Sequence, residues 1–132
     1  MTRDEVLAME AGREFDKLMA AEVMGIKKLH YSDYDSDKEF PYYIPSGKPW
    51  RTHQIDAKPL PRFSGDISDA WPVLERLIER GLTEDFFNTL QAVVGITGRP
   101  AWEHLRIIGI VISSGKFPEA ICHAALLTMK EE

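Results

Sequence analysis

Apolar residues recur at helical intervals in three places along the chain. Over residues 2–24, Val6, Met9, Phe15, Leu18, Met19 and Val23 follow one another at spacings that place them on one stripe of a helix. Thr2 stands three positions before Glu5, the spacing of a capping box. Gly25 follows the last periodic residue and suits a left-handed C-terminal cap. Gly12 weakens a helix by up to about 1 kcal/mol relative to alanine, so it marks either a bend or a true helix start near Ala11. Over residues 66–80, Ile67, Ala70, Trp71, Leu74, Leu77 and Ile78 share a face. Ser64, Asp66 and Ser68 compete for the N-cap. Pro72 is tolerated in the first turn, which favours Ser68, and Gly81 ends the helix. Over residues 118–130, Ile121, Ala125 and Met129 recur at four-residue spacing with Leu126 alongside. Pro118 fits the first turn, and Glu119 is favourable there against the helix dipole.

Two stretches lack this clear period. Residues 26–62 hold five of the eight prolines. Tyr42–Ile44 and Arg51–Ile55 read as short strands, which the flanking prolines confine to sheet edges or isolated hairpin arms. A segment this long without regular structure is often functional. Residues 83–114 are ambiguous. Thr83-Glu84-Asp85 followed by Phe86, Leu90, Val93 and Val94 suits a short capped helix, yet the run is also rich enough in β-formers for a strand. Gly98-Arg99-Pro100 reads as a turn. His104–Ile112, with four isoleucines and a valine, reads as a buried strand. The expected fold class is therefore α/β, an α+β layered sandwich in which three main helices pack on a small antiparallel sheet.

Composition narrows the class. A chain of 132 residues is expected to form one domain, residues 1–132. Its 44% hydrophobic and 28% charged residues are ordinary for a globular protein. A single cysteine, Cys122, offers no internal disulfide and points to a reducing, cytoplasmic compartment. The charged N-terminal stretch is not a signal peptide, and the apolar run Ile107–Ile112 is too short to cross a bilayer, so no membrane partner is expected. The net charge of −5 argues against duplex nucleic acid, whose binders draw affinity from a basic excess.

Catalytic and metal chemistry find no support. The run Asp33-Tyr34-Asp35-Ser36-Asp37-Lys38 starts like a calcium loop, but Lys38 stands where glycine is needed and Ile44 where glutamate is needed. His30, His53, His104 and His123 lack zinc-hydrolase spacing. Cys122 lies in an alanine-rich helix, where a small buried thiol is the usual reading, and His123 points about 100° away round that helix. Neither a glycine-rich phosphate loop nor a nucleophile elbow is present. No cofactor is expected, and the chain reads as a non-enzyme.

Residues 42–63 hold the most informative mixture. Tyr42, Tyr43, Trp50 and Phe63 alternate with Lys48, Arg51, His53, Lys58 and Arg62, and with Asp56 the sole acid the formal charge is +3. Aromatic faces stack on bases, and Arg forks hold phosphates. Candidate ligand-binding residues are accordingly Tyr43, Lys48, Trp50, Arg51, His53 and Arg62. The other reading is a proline-rich surface loop whose aromatics tuck into the core while its cations stay wet. The acidic stretch Asp33–Glu39 could also pair with the basic one, within a chain or in a homo-oligomer.

Three blocks together resemble a known family: Met9-Glu10-Ala11-Gly12-Arg13-Glu14-Phe15-Asp16 through Val23-Met24-Gly25, Phe63-Ser64-Gly65-Asp66-Ile67-Ser68-Asp69-Ala70-Trp71-Pro72-Val73-Leu74-Glu75, and Phe117-Pro118-Glu119-Ala120-Ile121-Cys122-His123-Ala124-Ala125-Leu126-Leu127. Their order resembles the phage ABA-sandwich domain family, small proteins of phages and prophages. The chain departs from the family pattern at Phe63, Gly65 and His123, where Tyr, Thr and Arg are usual. The resemblance covers about half the chain, leaving out residues 26–62 and 83–114. It implies a layered α/β fold and a phage or prophage source, and it implies no activity. With the basic aromatic stretch, it suggests an accessory protein that sequesters a small anionic nucleotide signal of bacterial defence. The alternative is a module that masks a host protein surface; a nucleotide-degrading enzyme is the third reading.

Overall fold

A computed structural model describes residues 2–26, 28–31, 41–49, 52, 54–96, 99–100 and 103–130. Among them are six α-helices: α1 (Arg3–Leu7), α2 (Arg13–Glu22), α3 (Ile67–Glu79), α4 (Thr83–Val94), α5 (His104–Ser113) and α6 (Phe117–Lys130). Three short strands, β1 (His30–Tyr31), β2 (Pro41–Tyr43) and β3 (Lys58–Pro59), form an antiparallel sheet in that order. The sheet is antiparallel as expected, but the count of three helices is not.

Gly12 divides the expected first helix in two. It lies in extended backbone at the start of α2, and Thr2 caps α1 by accepting from the Glu5 N–H at 3.2 Å. The apolar stripe survives the break, with Val6, Phe15, Met19 and Val23 all buried.

The start of α3 differs from expectation. Asp66, not Ser68, is its N-cap and accepts from the Ser68 N–H at 2.8 Å. Pro72 therefore sits beyond the first turn, inside the helix. An Asp66→Ala variant is expected to lose about 0.5–2 kcal/mol of stability, whereas Ser68→Ala should stay within about 0.5 kcal/mol; chemical denaturation of the two distinguishes the caps. The buried face is also rotated. Ala70, Val73, Leu74 and Leu77 point inward, while Ile67, Trp71 and Ile78 remain exposed in part.

Helices α3 and α4 end alike. Gly81 and Gly95 adopt φ values of 74° and 77°. The following N–H groups, of Leu82 and Ile96, reach back to Leu77 and Gln91 carbonyls at 3.0 and 2.9 Å. These are Schellman closures, and the left-handed residue they require favours glycine.

The segment read as a buried strand, His104–Ile112, is the helix α5. Ile107 and Val111, four apart, are its buried residues, and they face the core from one side of a helix. Its backbone hydrogen bonds close within the segment, so its β-branched composition is overridden by packing. The last helix is also not the amphipathic one expected. Every residue from Ile121 to Thr128 is buried, and α6 packs against all five other helices. A helix buried all round is a core element. The helices thus pack on α6 and not on the sheet as a platform. The sheet joins the core's edge through Pro41, Ile44, Leu60 and Phe63, all buried.

β2 is the central strand, which corrects the expectation of an edge. Pro41 is tolerated because it is the strand's first residue, and its carbonyl still accepts from the Leu60 N–H at 2.9 Å. The expected strand Arg51–Ile55 falls partly outside the described residues; Gln54–Asp56 form a turn of 3-10 helix. The calcium-like run Asp33–Lys38 lies outside them, as does Gly98 of the expected turn.

Candidate functional site

A concavity opens where the end of α2 meets the sheet. Its volume is about 770 Å³, within the span of about 300–1,000 Å³ common for small-molecule sites. One wall is Met24–Ile26 with Lys28 and His30, the chain leaving α2 and entering β1. The other is Tyr43–Pro49, which leaves β2 and turns back at Ile44–Gly47, where the Gly47 N–H donates to the Ile44 carbonyl at 2.9 Å. Pro61, Phe63 and Pro72 complete the lining.

Phe63 and Ile44 are buried and form an apolar floor, while Lys28 and Lys48 are exposed. Burial lowers the pKa of His30, and the neighbouring Lys28 charge lowers it further. Among the described residues no carboxylate lines the cleft. In a chain of net charge −5, this is a local reversal of sign. A lysine on each wall above an apolar floor suits an anion with a flat apolar body.

Two of the six sequence candidates, Tyr43 and Lys48, line this cleft. Arg62 does not. It is exposed, and its backbone N–H donates to the Asp69 carboxylate at 2.8 Å, which ties the turn to α3. Trp50, Arg51 and His53 lie outside the described residues. Sequence reasoning missed Lys28 and His30, because it centred on residues 42–63. The basic run Lys27-Lys28 beside His30 was the available signal. The surface-loop reading of the 42–63 stretch holds in part, since Phe63 tucks into the core while Lys48, Lys58 and Arg62 stay exposed.

Cys122 lies away from the cleft. Cys122 is fully buried, and burial pushes its thiol far above the usual range, with the Asp16 and Glu119 carboxylates adding to the effect. The thiolate is the reactive form, so Cys122 is expected to resist a thiol-specific disulfide reagent in the native protein. It should react stoichiometrically once denatured; rapid labelling of the folded chain would contradict this. His123 is buried in the same helix and has a structural partner. Its Nε2 lies 2.9 Å from the Met9 carbonyl, to which it donates in the corresponding tautomer, and its ring is 5.0 Å from that of Phe15. Among the described residues no three His, Cys, Asp or Glu side chains cluster as metal ligands would, and no helix is long and apolar enough to cross a membrane.

The blocks that carried the family resemblance meet in space. Asp16 from the first accepts hydrogen bonds from Ser64 of the second, and His123 of the third reaches Met9 of the first. No curated protein and no solved structure matches the chain. The family model of the phage ABA sandwich domain matches residues 17–126 of the 132. The match begins after Asp16 and runs through residues 26–62 and 83–114, which the three blocks leave out. By that match the chain belongs to the phage ABA sandwich domain family.

Proposed function

We propose that this phage domain is a non-enzymatic accessory protein of the infected or lysogenic bacterial cytoplasm, which binds and sequesters a small anionic, nucleotide-like ligand. The observation that carries this is the cleft itself: lysines on both walls, an apolar floor at Phe63 and Ile44, and no carboxylate among its described lining residues. Lys28 and Lys48 hold the anionic group, and Tyr43 and the proline-rich wall flank the base. Sequestration is binding without turnover, a reading in keeping with the burial of the Cys122 thiol. The use of such binding against a bacterial defence signal is an inference from the phage family alone.

Calorimetry against a panel of linear and cyclic nucleotides tests the reading. Saturable binding is expected, with the ligand recovered unaltered by chromatography after denaturation. No binding at high micromolar ligand by folded protein would end it, and a new product would turn it into an enzyme. A second reading, masking of a host protein surface, is favoured by apolar side chains left in water, chiefly Leu105 at 86% exposure with Ile112 on α5 and Trp71 on α3. A stoichiometric protein partner in a pull-down supports that reading. Light scattering decides whether the domain also forms a homo-oligomer.

A further inference from the structure

A buried polar seam joins the first turn of α2 to the segment that floors the cleft. Asp16 is only 2% exposed. Its Oδ1 accepts from both the Ser64 N–H at 2.9 Å and the Ser64 hydroxyl at 2.7 Å. The same hydroxyl oxygen accepts from the Gly12 N–H at 3.0 Å. One turn away, Arg13 Nη1 lies 4.0 Å from Asp16 Oδ2 and donates to the Leu60 carbonyl at 3.1 Å. Leu60 in turn donates its N–H to Pro41, at the head of the strand that leads into the other wall.

Between these anchors lie Pro61 and Phe63, two lining residues of the cleft. The 60–64 segment contains no helix or strand of its own; besides the seam, it is held by the turn that begins at Arg62, whose carbonyl accepts from the Asp66 N–H at 2.9 Å, and by the Arg62 N–H on Asp69. Burying a carboxylate is unfavourable unless it is well hydrogen-bonded, and an apolar side chain would fill the same space at less cost. What the carboxylate adds is direction, since it fixes the backbone N–H and the side chain of a single residue, Ser64. None of these groups touches the cleft itself.

We propose that Asp16 is a positioning residue for the cleft. Through Ser64, and with Arg13 on Leu60, it sets where Phe63 and Pro61 lie, and so whether the floor is formed before a ligand arrives. The proposal rests on the cleft being the ligand site. Preorganisation of this kind raises affinity by removing the ordering that binding would otherwise require.

Hydrogen exchange on the intact chain tests it without a ligand. Asp16→Ala, and the milder Ser64→Ala, are expected to speed exchange at residues 41–49 and 58–65 by about tenfold while amides of α6 keep their rates. Asp16→Asn retains an oxygen that can accept both Ser64 bonds and should behave as wild type. Unchanged exchange at 58–65, or equal acceleration throughout the molecule, would overturn the proposal. ATP serves as the anionic probe in a parallel titration. If wild type binds ATP, Asp16→Ala and Ser64→Ala should weaken it by about tenfold, and unchanged affinity would also overturn the positioning role. If wild type does not bind ATP, the nucleotide reading of the cleft loses support, and the exchange rates still decide the role of Asp16.

Discussion

Replacing Ile121 by alanine is expected to lower the unfolding free energy by about 2–5 kcal/mol. Ile121 is 0% exposed and lies in the buried run Ala120–Thr128 of α6. Because α6 touches every other helix, a cavity there borders several elements at once. No single helix can shift to fill it without losing contacts elsewhere, and interiors packed to crystal density relax little. Small domains are typically stable by about 5–15 kcal/mol, so the loss removes a large share of the total. Overfilling the same helix should also be destabilising; Ala124→Leu adds volume where there is no exposure and should lose about 1–3 kcal/mol. Ile55→Ala is the control. That side chain is 94% exposed, and its loss should stay within about 0.5 kcal/mol. Urea unfolding reads all three as shifts of midpoint at constant slope. Similar losses for Ile121 and Ile55 would show that α6 is not the centre of the core.

Removing both lysines of the cleft is expected to weaken binding of an anionic ligand by about a hundredfold or more, since each charge-assisted hydrogen bond contributes about 1.5–3 kcal/mol. Lys28→Ala and Lys48→Ala each leave an exposed site, so the fold should be unaffected. A control at Lys58, exposed but outside the cleft lining, should change affinity little. His30 adds a pH signature. Its pKa in the folded protein lies below its ordinary value, through burial and then Lys28, so the neutral ring is the favoured form near neutrality. In the free protein its contribution to stability is therefore present above the unfolded pKa and is lost as pH falls through the folded one. A bound phosphodiester reverses the preference by favouring the imidazolium. Affinity should rise as pH falls through that range, and His30→Gln should flatten the profile. A phosphodiester is the right probe because a terminal phosphate itself titrates near pH 6. Calorimetry at several pH values measures both effects, and equal affinity in the lysine variants would remove the cleft from consideration.

Much of the scaffold was legible because helical period and caps are local signals. The Thr2 cap and the Gly25 and Gly81 stops depend on residues within one turn of each other, whereas at Thr83 the sequence left helix and strand open, and the helix there has Leu82 at its N-cap with no side-chain cap. The misreadings share one cause, which is that neighbours distant in the chain set burial. Isoleucines at 107, 108, 110 and 112 favour a strand when read alone, yet the residues of this segment that are buried are Ile107 and Val111, at a helical interval, with Ile108 packed in part against the core. Pro72 moved the expected cap to Ser68, but Asp66 caps the helix and Pro72 is carried inside it. The candidate site was half legible. Tyr43 and Lys48 came from the aromatic and basic pattern, whereas Lys28 and His30 join them only because antiparallel pairing of His30 with Tyr42 brings two loops together.

By itself, then, the sequence determined the α/β class with an antiparallel sheet and the blocks by which the phage family could be suspected. These follow from the spacing of residues and from local backbone chemistry. Tertiary structure decided which helix is central, which apolar faces turn inward and which cations share a cleft. It also decided the meaning of Asp16 and Ser64, forty-eight residues apart in the chain and 2.7 Å apart in space. A buried carboxylate needs donors, and only the folded chain could say where they come from.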